Sequence, residues 1–168
     1  MTMQTDVKSA HLNVSGQMVV SRARLKALIS MGTATAGTVN FWDTTTAPVA
    51  ITYGRAGTLI TVTLAAHGLL TGQVVGLTFG PDGSSRVGTN GNYAVTVLTS
   101  STYTVTDINS GTVTAGTAGT QGARWLMSMD TNTASDVITL PIPGEGVLAV
   151  DGIYCQMTNQ TGVTIFYG

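Results

Sequence analysis

The chain has 168 residues, seven Lys or Arg against eight Asp or Glu, and a net charge of −1; only 9% of residues are charged while 43% are hydrophobic. That length suits one domain or two small ones, and the charged fraction lies far below the roughly 25% of an average soluble domain. Such a balance argues against disorder, which needs low hydrophobicity and high net charge, and against a basic nucleic-acid binder.

One cysteine, Cys155, leaves no internal disulfide. The N-terminal MTMQTDVKSAHLNVSG has no apolar stretch of signal-peptide type, and no run approaches the roughly 18 apolar residues of a membrane span. The expectation is a chain made in the cytoplasm, without membrane insertion. A net charge near zero gives little colloidal repulsion and suits a subunit of an assembly.

In chain order, short segments rich in Val, Ile, Thr and Tyr recur between glycine and polar turns, which predicts an all-β fold. Residues 22–27 alternate polar and apolar; the competing helix over 22–31 rests on propensity alone. Further strands are predicted at 38–42, 59–64, 74–79, 93–98, 103–107, 125–129, 137–142, 146–150, 153–158 and 163–167. Eleven strands at this spacing suggest a sandwich or barrel. Asp151 and Gly152, between two apolar runs, predict a type I′ hairpin turn, and the last third is expected to be an antiparallel meander.

Glycine-rich seams at 53–57 and 116–122 bracket a segment of separate character. The flanks together approach the size of a small β-sandwich. The predicted organisation is an antiparallel sandwich built from both chain ends, 1–53 plus 122–168, with 1–16 as an extended N-terminal arm and a small β module inserted at 54–121.

The candidate chemistry is thin. His67 lies in the connection HGLLTG, where Gly68 and Gly72 permit positive φ; a structural turn is favoured over a general base, because no nucleophile and orienting acid accompany it. His11 has less support. Two distant histidines and one cysteine make no zinc pattern. The stretch 130–136 has oxygen ligands but lacks the glycine and glutamate of a calcium loop, so a polar hairpin loop is expected. The loop 80–86 is followed by no helix and is not a phosphate cradle. No metal, cofactor or catalytic residue is expected, and the chain is not expected to be an enzyme.

Arg22, Arg24 and Lys26 share one face if they lie on a strand; with Lys8 they hold four of the seven positive charges, while Asp130, Asp136, Glu145 and Asp151 gather late in the chain. Edge protection or subunit contact is the favoured use. Lys8, Arg22, Arg24, Lys26, Asp82 and Arg86 are the candidate subunit or capsid contacts. Trp42, Trp125, Tyr154 and Tyr167 are expected to pack in the core rather than to form a sugar platform.

The opening TDVKSAHLNVSGQMVVSRARLKAL with GTATAGTVNFWD, and the ending LPIPGEGVLAVDGIYCQMTNQTGVTIFYG, resemble small virion structural proteins of tailed bacteriophages. The middle, AAHGLLTGQVVGLTF with NGNYAVTVLTSSTYTV, resembles a small β module embedded in phage structural proteins, in which HGLxxG is a strand-connecting turn. The resemblance implies a structural role in the virion, without fixing the location within the particle, and offers no catalytic residues. The expectation built on it is a capsid decoration (cement) protein bound to the major capsid protein on the outer head, as a homo-oligomer for which a trimer suits a shell. A tail or neck component such as a fibre adaptor, and a carbohydrate-binding attachment module, are the alternatives.

Overall fold

β-branched residues alternate with small or polar ones through most of this chain, and the backbone follows with extended structure. The computed structural model describes residues 7–81, 87–131 and 135–168. Among them lie fourteen strands and no helix, and the strand pairings are antiparallel. The fold is all-β. It divides into two units, Met1–Ala47 with Leu126–Gly168, and Pro48–Trp125.

The first unit is a two-sheet sandwich. One sheet runs β1 (Lys8–Leu12), β14 (Gln160–Tyr167), β3 (Ala23–Gly32), β11 (Val137–Pro141), with β12 (Val147–Ala149) also on β3. The other runs β10 (Trp125–Thr131), β4 (Gly37–Asp43), β13 (Ile153–Thr158), β2 (Gly16–Val19). Their inner faces meet in one core: Leu25, Leu28, Val163 and Ile165 from the first sheet, and Val39, Phe41, Ile153 and Cys155 from the second, all with no exposed surface. Strand β3 flips its buried parity between Leu25 and Leu28, opposite an irregularity at Phe166/Tyr167 of β14. Its two-residue alternation and central place in the sheet override the helix propensity of 22–31.

The second unit is a single curled sheet. Strands β5 (Val49–Thr63) and β9 (Thr102–Gly122) pair along their length. The other edge of β9 takes β8 (Thr96–Thr99) near its start and β6 (Val74–Phe79) near its end. β6 also pairs with β7 (Gly91–Ala94), and β7 leads through Val95 into β8, so the chain returns to the same edge of β9. Ile60, Val62, Leu77 and Tyr103 fill the interior with no exposed surface.

Several expectations are corrected. β5 and β9 run through the glycine seams and pair with each other there, and the two units divide at 47/48 and 125/126, where the sequence reading set 53/54 and 121/122. Residues 8–12 of the expected arm are a strand on β14 rather than a free extension; residues 1–6 lie outside the described residues. The last third is not a meander. Strands β11, β12 and β14 pair with β3, β13 pairs with β4 and β2, and none of these four pairs with the next. β10 and β11 lie in different sheets and do not pair, so 130–136 is not the connection of a hairpin; residues 132–134 lie outside the described ones.

Asp151–Gly152 is likewise a sheet-crossing corner. Gly152 has φ 157° and Asp151 is not at positive φ, so the turn is not type I′, which needs positive φ at both positions. Of the four aromatics expected in the core, Trp42 is fully buried and Tyr167 packs against the core, while Tyr154 and Trp125 are half-buried. Tyr53 and Tyr103 are the larger buried aromatics of the second unit.

Candidate functional site

His67 follows Ala66, a non-glycine residue at φ 51°, and precedes Gly68 at φ 65°; Gly72 is at φ 94°. A Cβ at Gly68 or Gly72 would meet nothing within 4 Å, so the glycines are needed for backbone conformation, not for space. His67 Nδ1 accepts the Leu69 N–H at 3.0 Å, and Nε2 lies 2.9 Å from the Thr99 carbonyl. With Nδ1 accepting, the proton sits on Nε2 and is donated to that carbonyl. The ring also meets the Tyr103 ring edge-on, centroids 5.4 Å apart. Both nitrogens are thus committed to tying the β5–β6 connection to the β8–β9 turn.

Two carboxylates that the sequence reading passed over have larger structural roles. Asp43, at the end of β4 and 2% exposed, accepts the backbone N–H groups of Val150 (2.9 Å), Asp151 (2.8 Å) and Gly152 (3.2 Å). Three successive amides aimed at one carboxylate make an anion-holding concavity. That bond set turns the chain from β12 in one sheet to β13 in the other.

In the second unit Arg55 Nη2 lies 3.2 Å from Asp107 Oδ2, with side-chain exposures of 1% and 0%. Four residues of β9, 107–110, oppose the single residue 58 of β5 in this bulge. Arg55 donates to the carbonyls of Gly57 (3.0 Å), Val87 (2.8 Å) and Asn109. Asp107 accepts the N–H groups of Thr89 (2.8 Å) and Asn109 (3.2 Å). Burial pushes the Asp107 pKa up, but these amides, the Thr89 hydroxyl and the Arg55 guanidinium outweigh it and hold the carboxyl below its usual range. Nearby Tyr93 is pushed up to about 12, by burial first and by Asp107 second.

The expected contact residues do not form one patch. Arg24 and Lys26 lie on the outer face of β3, half-buried, but Arg22 precedes the strand. Lys8 is level with Tyr167 and Leu25, so strand alternation turns it to the opposite face of the sheet from Arg24. Asp82 and Arg86 lie outside the described residues. Arg24 Nε reaches Glu145 Oε2 at 3.9 Å, an exposed pair within the chain worth little. Among the described residues no three His, Cys, Asp or Glu side chains gather as a metal site would require.

What Arg24 and Lys26 do border is an apolar surface on the outer face of the β3 sheet. Register places Ala27 beside Phe166 and Pro141, Ile29 beside Thr139, and Met31 beside Val137. Met31 and Val137 are 45% and 63% exposed. Antiparallel sheets commonly turn polar residues to solvent on their free face; here Ile29 lies between Thr139 and Thr164, and the exposed apolar pair Met31 and Val137 beside it is suited to contact rather than to bond-making. On β3 the outward residues that alternate with Leu28 and Ser30, namely Ala27, Ile29 and Met31, are themselves apolar, but the register that gathers three strands did not show in the sequence. No protein-family model, curated protein or solved structure matches the chain.

Proposed function

We propose that the chain is a structural protein of a tailed-phage particle, acting as a decoration subunit that lies on the outer head surface. The observation that carries this reading is the exposed apolar pair Met31 and Val137, with half-buried Ile29 and Phe166 on the same sheet face and Arg24 and Lys26 farther along β3. Apolar area gives adhesion, and the flanking cations give register against an acidic neighbour. The ionisable groups best placed for chemistry, Asp43, Arg55, Asp107 and His67, hold the protein's own backbone. Repetition over a shell accumulates avidity from contacts that are individually modest. The resemblance of both flanks to virion proteins supports the same reading.

The test is co-sedimentation of the purified chain with empty shells and, separately, with tails from the particle its genome encodes. Saturable binding to shells at hundreds of copies, abolished by Met31→Glu with Val137→Glu, is the expected result. A stoichiometry of six or twelve on tails moves the chain to the neck or tail. Binding to neither removes the proposal.

A further inference from the structure

We propose that the HGLLTG turn is an acid-opened latch, in which protonation of His67 releases the Leu69 amide and frees the Leu69 side chain from the core of the second unit. The two ring nitrogens face partners whose roles cannot be exchanged. The Leu69 N–H can only donate, and it meets Nδ1 at 3.0 Å; the Thr99 carbonyl can only accept, and it lies 2.9 Å from Nε2. A neutral ring with its proton on Nε2 satisfies both. An imidazolium carries a proton on each nitrogen, so it keeps the Thr99 bond and turns a proton against the Leu69 N–H. Histidine takes up that proton between about pH 5 and 8. The closed turn needs the ring neutral and the open turn admits the charge, so acid favours opening.

His11 supplies the contrast within the same chain. Its Nδ1 lies 2.9 Å from Thr164 Oγ1, and a hydroxyl donates or accepts as required, so charging that ring breaks no bond.

The connection around His67 is built to yield locally. Ala66, a non-glycine residue at φ 51°, stores backbone strain at its entry. One end is held by the Leu64 N–H on the Ser101 carbonyl at 3.0 Å, and the other by the Gly72 N–H on the Val95 carbonyl at 2.8 Å. Thr71 Oγ1 also accepts the Val97 N–H at 3.0 Å. Those bonds contain no titrating group. Leu69 lies between the two ends, half-buried against the core that holds Tyr103 and Val95, and its neighbour Leu70 is 71% exposed. Opening therefore sets a second leucine on the surface beside the first.

The surrounding elements offer the new charge no counterion. Residues 56–81 and 87–106 hold no Asp, Glu, Lys or Arg. The charged groups on β5 and β9, Arg55 and Asp107, bond each other. Tyr103, the titratable group that faces the ring, donates its hydroxyl to Gln121 Oε1, and burial pushes its pKa up, so it brings no negative charge. Tyr93 on β7 donates to the Thr89 carbonyl. The inference rests on the turn alone and does not depend on a place in a phage particle.

NMR of the whole chain from about pH 8 to about pH 5 is the test. It follows the ring nitrogens of both histidines and the amide exchange of the turn, corrected for the intrinsic pH dependence of exchange. A neutral His67 ring protonated at Nε2 is expected at the upper end. As that ring charges, protection of the Leu69 amide should fall several-fold, up to about tenfold, while Leu64 and Gly72 keep theirs. His67→Asn retains an oxygen able to accept the N–H two residues on, and should keep Leu69 protected throughout. A charged His67 with Leu69 still protected overturns the proposal. So does a neutral ring protonated at Nδ1, or a ring that stays neutral until the whole chain unfolds. A loss of Leu69 protection that persists in His67→Asn overturns it as well. If that variant fails to fold, the unaltered chain decides alone.

Discussion

Arg55 and Asp107 form a buried ion pair, Nη2 to Oδ2 3.2 Å, at the point where four residues of β9 bulge against one of β5. The pair does more than neutralise itself. Its remaining donors and acceptors bond carbonyls and amides around the bulge that the ladder leaves unpaired. Removing one partner alone leaves a buried charge behind, so Asp107→Ala should cost about 3 kcal/mol or more. The joint replacement Arg55→Met with Asp107→Leu should recover part of that loss. Urea unfolding of the three variants checks both statements.

The same carboxylate should make stability pH-dependent. Its folded pKa lies below the unfolded value, so the unfolded state binds more protons across that interval and stability rises with pH there. The contribution is complete above the ordinary aspartate range and is lost as pH falls through the lowered folded value. Urea midpoints from pH 7 down to pH 2 should show this decline, and Asp107→Asn should flatten it.

Asp43 turns the corner between the two sheets of the first unit by accepting three consecutive backbone N–H groups. Asp43→Ala leaves buried donors unsatisfied and should cost about 2–3 kcal/mol. Because the corner joins β12 to β13, the loss should also appear as faster amide exchange at Val150–Gly152. Unchanged exchange there would refute the role.

His67→Ala should lower stability by about 1–2 kcal/mol, through loss of the Leu69 and Thr99 hydrogen bonds. A change in denaturation midpoint with unchanged slope would show that the turn loosens without a change of fold.

Burial in the sandwich core pushes the Cys155 thiol up to about 12. It should therefore stay protonated and resist thiol reagents at pH 8. Labelling by a chromogenic disulfide should proceed at the rate of unfolding and become immediate in denaturant. Prompt labelling of the native protein would contradict the core placement.

The strand class was written in local pattern. Residues 74–79 and 153–158 alternate or run apolar between turn signals, and both are strands at those bounds. His67 could be placed in a connection because Gly68 and Gly72 flank it. Asp43 and Arg55 could not be recognised in the same way. Each is the one charged residue of its strand, and their partners lie 107 and 52 positions away in sequence. The apolar pair was equally hidden, because Met31 and Val137 become neighbours only through the β3–β11 register.

By itself the sequence determined that this chain would be extended, antiparallel and held by a core of aliphatic and aromatic side chains, since side-chain alternation and turn chemistry act over a few residues. Tertiary structure alone decided which strands pair. It distributed β10–β14 over two sheets instead of forming a meander, carried β5 and β9 through the glycine seams, and spent Asp43, Arg55 and Asp107 on the backbone. The physical reason is that pairing partners are chosen by contacts across long sequence separations, where burial of whole sheet faces outweighs any local turn preference.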